Sequence, residues 1–403
     1  MVPDEPPRWN RFAAAAASFA GFTGFTLVMP FLPLYFQELG VSDLGEIALW
    51  SGVSLGVTPA LTALLSPLWG RMGDRFGLKV MVERSLLSFV VIMSATAFVT
   101  RAWHVFALRA VQGLFAGFGA LTLTMAAESA PSDRLASSIG VVQMAQRLGP
   151  ALGPVIGGAI AQVVGLRRAF LVAAVFYAAA FLIVFLMYEE TEETRRRARA
   201  EAAGAGPMTF RHVLTFQHFV LLMGAVFALQ FIDRSFGPIL PLYVAELGAP
   251  LSRVAVLSGV VFSLIAGAAA LGHHVGGRLI ARVAPHRVIA GASAVSAAAV
   301  LAVGLTPNVA GLVAMSGVFG FGLGVAFTGV YAVAGTVIPP GARGVGFGVL
   351  TTASLSGLAL SPILSGVLGA ASLRAVFLLD AVGLATLTWF VARWMGRAAD
   401  GRP

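Results

Sequence analysis

Long apolar stretches separated by short joints make up most of this chain. A helix that crosses a bilayer needs about 20 predominantly apolar residues, because its backbone polar groups must be satisfied within the segment itself. Only 11% of the 403 residues are charged, whereas soluble domains carry roughly 25%. The sequence therefore predicts an all-α polytopic membrane protein.

We predict twelve transmembrane helices, called segments 1 to 12 below. Their expected bounds are 12–36, 46–69, 80–100, 103–127, 137–163, 169–188, 216–244, 254–277, 287–305, 309–332, 344–369 and 374–395. Most of the 27 Lys and Arg residues fall in joints on one side of the membrane. This bias predicts cytoplasmic N- and C-termini, and it accounts for the net charge of +9 without a nucleic-acid partner.

An internal repeat divides the chain. The stretch Pro30–Gly40 recurs as Pro238–Gly248, with matching prolines, tyrosine, glutamate and glycine. We therefore expect two six-helix bundles, 1–188 and 216–403, joined by a charged cytoplasmic linker at 189–215. Because each bundle has an even number of helices, both enter the membrane in the same direction, with a substrate cavity between them near the midplane.

The joint between segments 2 and 3 reads GRMGDRFGLK. By itself it is a basic loop that fixes topology. Its pattern resembles the G-x-L-x-D-R-x-G-R-K signature of the major facilitator superfamily, and that resemblance implies a latch between the two halves. The latch residues would be Gly70, Gly73, Asp74, Arg75, Gly77 and Lys79.

Segment 5 contains GPALGPVIGG. Its prolines remove backbone donors, and glycines at every fourth position form a smooth packing face, which is the simplest interpretation. The pattern also resembles the antiporter signature of the bacterial 12-helix drug:proton antiporters, a multidrug efflux family of the inner membrane. The residues that carry it are Gly149, Pro150, Gly153, Pro154, Gly157 and Gly158.

Charged residues inside the segments are candidates for proton coupling. An intramembrane arginine costs about 2.5–3.5 kcal/mol on insertion scales and is functional by default. Arg109 matches the family's R-x-x-x-G signature in segment 4, which the family associates with proton coupling, although it could instead snorkel to the outer surface. Arg147 lies near the midplane of segment 5 and is expected to face the cavity or an acid.

Three acids lie within the segments: Asp233, Asp380 and Glu128. Asp233 follows a long apolar run and is expected to be the deepest, so it is the first candidate for proton exchange. A structural pair between Asp233 and Arg109 or Arg147 is the alternative, and a direct pair with Arg234 is not assured because i and i+1 side chains diverge. Asp380 lies near the outer end of segment 12 and is a further candidate for proton coupling, with a position in contact with water as the alternative.

Aromatic and polar side chains are expected to line the substrate cavity, because such a lining suits flat apolar ligands. They are Phe22, Phe25, Gln112, Gln143, Gln146, Phe227, Gln230, Phe231 and Arg234. The adjacent residues His273 and His274 do not share a helix face, so we interpret them as interfacial residues and not as metal ligands.

Together these features predict a secondary transporter that exports amphipathic drugs or toxic small molecules by proton-coupled antiport. A metabolite exporter, an uptake symporter, and a membrane sensor or enzyme remain alternatives. The chain has no cysteine and no G-x-x-x-x-G-K-[ST] loop, which argues against disulfides, thiolate sites and direct use of ATP. The expected partners are a small-molecule substrate, protons and the lipid bilayer; we expect a monomer with no cofactor, metal or nucleic acid.

Overall fold

The computed structural model describes residues 9–128, 135–190, 219–338 and 343–395, and within these ranges the chain forms helices and no strands. The first six segments are Asn10–Leu27 with Leu32–Glu38 (segment 1), Leu44–Phe76 (2), Leu78–Thr96 (3), Ala102–Phe115 with Phe118–Glu128 (4), Leu135–Val164 (5) and Leu166–Met187 (6). Nearly all of the linker predicted at 189–215 lies outside the described residues.

The second six segments follow the same order. They are Phe219–Arg234 with Phe236–Glu246 (7), Leu251–Ile280 (8), Pro285–Leu305 (9), Val309–Val337 (10), Arg343–Ala371 (11) and Leu373–Phe390 (12), which a π-helical turn at Val391–Met395 extends. Several helices run past their predicted ends because polar residues continue the helix beyond the apolar stretch.

Segments 1, 4 and 7 are each broken, although the sequence predicted continuous helices. Segment 1 bends by 47° at its break, where Pro30 and Pro33 each lack a backbone donor. In segment 4 the break lies at Gly117, whose φ of 123° is open to glycine but strained for other residues. Segment 7 breaks at Ser235, just before Gly237 and Pro238. Two of them, segments 1 and 7, carry the aromatic residues expected to line a central cavity.

Ten spans in the described residues are long and apolar enough to cross a membrane, and the bent pair of segment 1 makes an eleventh. Segment 3 is the helix outside this group, and it carries Lys79, Glu83 and Arg84 near its start. The joints at Gly40, Gly165 and Gly248 lie at one end of the bundle, called the outer end because the basic-residue pattern places it outside. The opposite end is called the inner end.

The repeated tyrosine makes the same contact in both halves. The Tyr35 hydroxyl donates to the carbonyl oxygen of Thr96 at 2.7 Å, and the Tyr243 hydroxyl donates to that of Val303 at 2.8 Å. Each bond ties the end of the first helix of a half to the end of the third. The repeat therefore specifies a structural contact at the outer end.

An ion pair is repeated beside each tyrosine. The Arg167 Nε lies 2.8 Å from Glu38 Oε1, and the Arg374 Nε lies 3.5 Å from Glu246 Oε1. All four side chains are partly exposed, so each pair contributes at most about 1 kcal/mol. These pairs join the first and sixth helix of each half.

The two halves meet closely where segment 2 packs on segment 11. A side chain at Gly52 would collide with the carbonyl oxygen of Pro362, and one at Gly56 with that of Ala359. Only glycine lets the helix backbones approach this far. All four residues lie in the outer half of the membrane, so this contact seals the outer end.

Segment 5 packs on segment 8 in the same way. A side chain at Gly158 would meet the backbone of Ala255, and one at Gly259 would meet the backbone of Pro154. In the described residues, every glycine that meets the opposite half across such a contact lies toward the outer end. The structure therefore shows a state that is closed at the outer end.

Candidate functional site

Charged groups from both halves meet between segments 5 and 8, below the outer seal. The Arg147 Nη1 lies 3.4 Å from His273 Nε2, and His273 Nδ1 lies 3.0 Å from the Thr328 hydroxyl of segment 10. Arg147 is exposed to the space around it, as expected for a cavity residue. Its observed neighbour is a histidine of the opposite half, in place of the acidic partner that the sequence analysis gave as the alternative.

Asp233 completes this group from segment 7. Its Oδ2 lies 3.1 Å from Arg234 Nε, and its side chain is 24% exposed. Asp233 and Arg147 are the two charged groups that act on His273. The structural pair considered between Asp233 and Arg109 or Arg147 is wrong, because the adjacent arginine folds back onto the carboxylate. The residues Arg147, Asp233, Arg234 and His273 are called the central cluster below.

Polar and aromatic side chains of segments 7, 10 and 11 flank the central cluster. The Ser354 hydroxyl donates to Gln230 Oε1 at 3.1 Å, and the Ser361 hydroxyl donates to the Phe231 carbonyl oxygen. The rings of Phe227 and Phe231 lie 6.0 Å apart and are half-buried. This wall offers aromatic faces beside a few hydrogen-bonding groups, the usual lining of a small-molecule site.

Other residues predicted to line the cavity lie elsewhere. Gln112 is fully buried, and Gln146 donates to the Gly119 carbonyl oxygen of segment 4 at 2.8 Å. Phe22 packs on Phe118 with ring centroids 5.2 Å apart. These three predictions are wrong, because the side chains point into the first half, where they hold segments 1, 4 and 5 together. Gln143 is exposed and Phe25 half-buried, which leaves both as cavity candidates.

Arg109 is buried in the first half, with 3% of its surface exposed. Its Nη1 donates to Gln112 Oε1 at 3.0 Å, and its backbone carbonyl accepts from the Thr58 hydroxyl at 2.8 Å. Tyr177 of segment 6 lies beside the guanidinium. The alternative that Arg109 snorkels to the outer surface is wrong, because the side chain turns inward toward Gln112.

Asp380 is also buried, with 1% exposed, so the alternative that it contacts water is wrong. Its Oδ2 accepts a hydrogen bond from the Ser235 hydroxyl at 2.5 Å. Asp380 lies only two helical turns from the outer end of segment 12, but its side chain faces segment 7 and not the surface. Asp380, and not Asp233, is therefore the more deeply buried of the two acids.

The predicted latch is described in part. The Lys79 Nζ donates to the carbonyl oxygens of Phe185 and Tyr188, at 2.9 and 2.7 Å, which ties segment 3 to segment 6 within the first half. Gly77 has a φ of 102°, a conformation that needs glycine between segments 2 and 3. The side chains of Asp74 and Glu128 lie outside the described residues.

The glycines of segment 5 make two packing faces. Side chains at Gly149, Gly153 and Gly157 would collide with segment 1, and one at Gly158 would collide with segment 8. The predicted smooth packing face is therefore confirmed, and it joins segments 1 and 5 within the first half. Gly158 adds a contact to the opposite half, which links this motif to closure of the outer end.

His273 is the site residue that the sequence analysis missed. We interpreted it as interfacial, but it lies seven residues before the end of segment 8 and contacts Arg147 of the opposite half. A partial signal was available, because Gly272 and Gly276 flank it at helical spacing and pack on segment 10. Glycines on both sides of a polar residue mark a helix face that is buried against another helix.

The central cluster brings one carboxylate, two arginines and one histidine of the two halves together. Asp233 bears the one carboxylate that the structure places in it, beside two arginines and a histidine, so its protonation would remove the negative charge that partly offsets the two arginines. Metal binding is a poorer fit, since the described residues contain no group of three His, Asp or Glu side chains placed to hold an ion.

The chain has sequence relatives among bacterial multidrug resistance proteins. The chain is 32% identical over 268 residues to the multidrug resistance protein MdtG of Dickeya zeae, a match that covers 66% of this chain and 64% of that protein. It is 31% identical to MdtG of an Escherichia coli O6:K15:H31 strain, over 71% of this chain and 70% of that one. A multi-drug resistance efflux pump PmrA homolog of Lactococcus lactis is 31% identical, over 66% of this chain and 64% of its own.

The fold is that of solved transporters. A bacterial homolog of the human lysosomal transporter Spinster superposes with a TM-score of 0.77 at 16% identity, over 95% of this chain and 96% of that one. A POT family transporter in complex with 5-aminolevulinic acid gives 0.74 at 11% identity, over 99% and 98%. The Major Facilitator Superfamily model matches residues 14–311 and 259–403. The chain therefore belongs to the Major Facilitator Superfamily, a family of membrane transporters and not of enzymes, and is related to its bacterial multidrug efflux proteins.

Proposed function

We propose that this protein exports amphipathic small molecules across the bacterial inner membrane in exchange for protons, by alternating access between the two halves. The observation that carries the proposal is the central cluster, where Arg147 of one half meets His273 of the other beside Asp233. Titratable groups from both halves share one site beneath a sealed outer end. Motion of the halves would change that site directly.

Asp233 is the proposed exchange group. When it is ionised, its negative charge attracts an organic cation to the aromatic wall formed by Phe227 and Phe231. When it is protonated, Arg147 and Arg234 dominate the local field and repel the cation. Competition between the proton and the substrate for one carboxylate couples their fluxes. Exchange of one proton for one monovalent cation moves no net charge, so the pH difference supplies the energy, about 1.4 kcal/mol per pH unit.

The names of the relatives support drugs as the substrate class, and the aromatic wall supports flat, amphipathic molecules within that class. The orientation of the chain, with both termini in the cytoplasm, follows from the distribution of basic residues and makes the inner end the side from which substrate enters.

Everted membrane vesicles test this function. An imposed pH gradient, acidic inside, should drive accumulation of a lipophilic cationic dye in vesicles that contain the protein, and dissipation of the gradient should abolish it. Asp233→Asn should lose the gradient-dependent part. Accumulation that ignores the gradient would contradict antiport, and dye movement in the direction of the proton flux would indicate a symporter.

A further inference from the structure

A buried acid of segment 12 is tied to the break in segment 7. Ser235 is the residue between the two helices of segment 7, and its hydroxyl donates to Asp380 Oδ2. Among the described residues, Asp380 Oδ1 is buried without a hydrogen-bond partner. We propose that Asp380 is a second proton-binding site that acts as a conformational switch: its neutral form holds segments 7 and 12 together in the state closed at the outer end, and its ionisation favours opening.

The surroundings of Asp380 disfavour a charge. Segment 7 offers Asp233 and Arg234, which pair with each other, and Glu246, which pairs with Arg374 of segment 12 at the outer end. None of these groups is paired with Asp380 in the described residues. Segment 9 carries His286 and Arg287 only at its inner end, and the π-helical turn carries Arg393 there too. Segment 11 has no charged residue after Arg343. Burial of a carboxylate without a countercharge is unfavourable, so the closed state suits the neutral acid.

The helices diverge directly below this hydrogen bond. An open groove of about 550 Å³ lies between them, lined by Gly224 and Ala228 of segment 7 and by Gly383, Thr386 and Phe390 of segment 12. Gly383 is one turn from Asp380 on the same face of its helix. The bond between Ser235 and Asp380 joins the two helices at the upper edge of this groove.

The first half shows that the fold does not need this bond. One repeat earlier, Leu27 and Ala173 occupy the places of Ser235 and Asp380. There, segments 1 and 6 pack closely, and a side chain at Gly24 would lie 3.3 Å from Ala173 and Tyr177. The second half thus has a polar bond and an open groove where the first has apolar packing.

This switch deepens the proposed antiport cycle and rests on it for its role in coupling. Opening of the outer end would admit external water to Asp380, which then loses its proton. A proton from the outer medium later returns to the carboxylate, and the neutral acid again accepts burial against Ser235. External acid therefore favours closure of the outer end, the step that must follow proton uptake from outside.

Distances across the outer end test the switch. The natural chain has no cysteine, so Ser42→Cys and Ser252→Cys, on exposed positions of opposite halves, allow paired spin labels in the full-length protein. In lipid nanodiscs, the labelled protein should shift toward the short, closed distance as the pH falls. Asp380→Asn, which mimics the neutral acid, should stay closed at every pH. Asp233→Asn should keep the pH response.

Two serine variants keep the test sharp. Ser235→Ala should move the midpoint of closure to lower pH, since the closed state loses the hydrogen bond that joins segments 7 and 12. Ser293→Ala removes another fully buried serine hydroxyl, in segment 9, and should leave the midpoint unchanged. A normal pH response in Asp380→Asn, or none in the unmodified protein, would overturn the switch. Gradient-dependent dye transport, scored on the same variants, judges the proposed antiport separately.

Discussion

The two halves share their outer contacts and differ in what they bury. Both use a tyrosine and an Arg–Glu pair, one repeat apart, to tie helix ends together at the outer end. Inside, the first half buries Arg109 with Gln112, whereas the second half buries Asp380 with Ser235. The buried ionisable group is therefore a cation in the first half and an acid in the second. The shared contacts build the fold, and the differences carry the chemistry.

Removal of Arg109 should have the largest effect on transport, because Arg109 is the buried charged group that distinguishes the first half from the second. Arg109→Ala leaves the Gln112 amide oxygen buried without a donor, which costs about 1–3 kcal/mol of folding stability. We expect gradient-driven dye transport to fall to background. Transport in vesicles and thermal unfolding in detergent measure the two effects.

The second half provides the matched control for Arg109. Ser316 stands one repeat later and is fully buried. Ser316→Ala should transport normally. Equal losses in the two variants would mean that this position serves packing in both halves and has no special role in the first.

The outer seal should respond next most strongly. Gly158→Val places methyl groups against the backbone of Ala255, which cannot move aside. Overpacking costs about 1–3 kcal/mol, equivalent to a 5- to 150-fold shift away from the closed state. Labels at Ser42→Cys and Ser252→Cys should report longer distances.

Gly291 in segment 9 serves as the control for the seal, since no atom lies within 4 Å of its added Cβ. Gly291→Ala should leave the distances unchanged. If Gly158→Val keeps the closed distance as well, the outer seal does not depend on close helix contact at segment 5.

The smallest effects are expected where the halves are alike. Arg167→Ala and Arg374→Ala each remove one partly exposed ion pair, which contributes at most about 1 kcal/mol. Arg167→Ala should be slightly the more destabilising, because its Nη1 also donates to Val99 at 3.0 Å. Thermal unfolding of both variants at low and high salt checks this, and a large loss in either one would show that the outer contacts are not equivalent.

Apolar patterning was enough to predict the class, the twelve helices and the packing face of segment 5, because these depend on local composition and on glycine spacing. The breaks at Gly117 and Ser235 were not predicted. A single glycine or serine occurs in many unbroken helices, so a break of this kind depends on the neighbouring segments.

The site was harder to predict because it depends on which way side chains turn. Gln146 and Arg147 are adjacent, yet one bonds within the first half and the other reaches His273 of the second. We predicted that Asp233 is more deeply buried than Asp380, and the structure shows the reverse order, because segment 7 covers the outer part of segment 12. The depth of a residue along its helix could be counted from the sequence, whereas the neighbouring helix that its side chain faces could not be predicted.

Proton release on substrate binding tests most directly whether Asp233 exchanges a proton for a cation. A lipophilic cation added to the purified protein in weakly buffered detergent solution should acidify the medium, as followed by a pH indicator dye. Asp233→Asn should bind the cation more weakly and release no protons. Cation binding by the unmodified protein without any proton release would contradict exchange at this site.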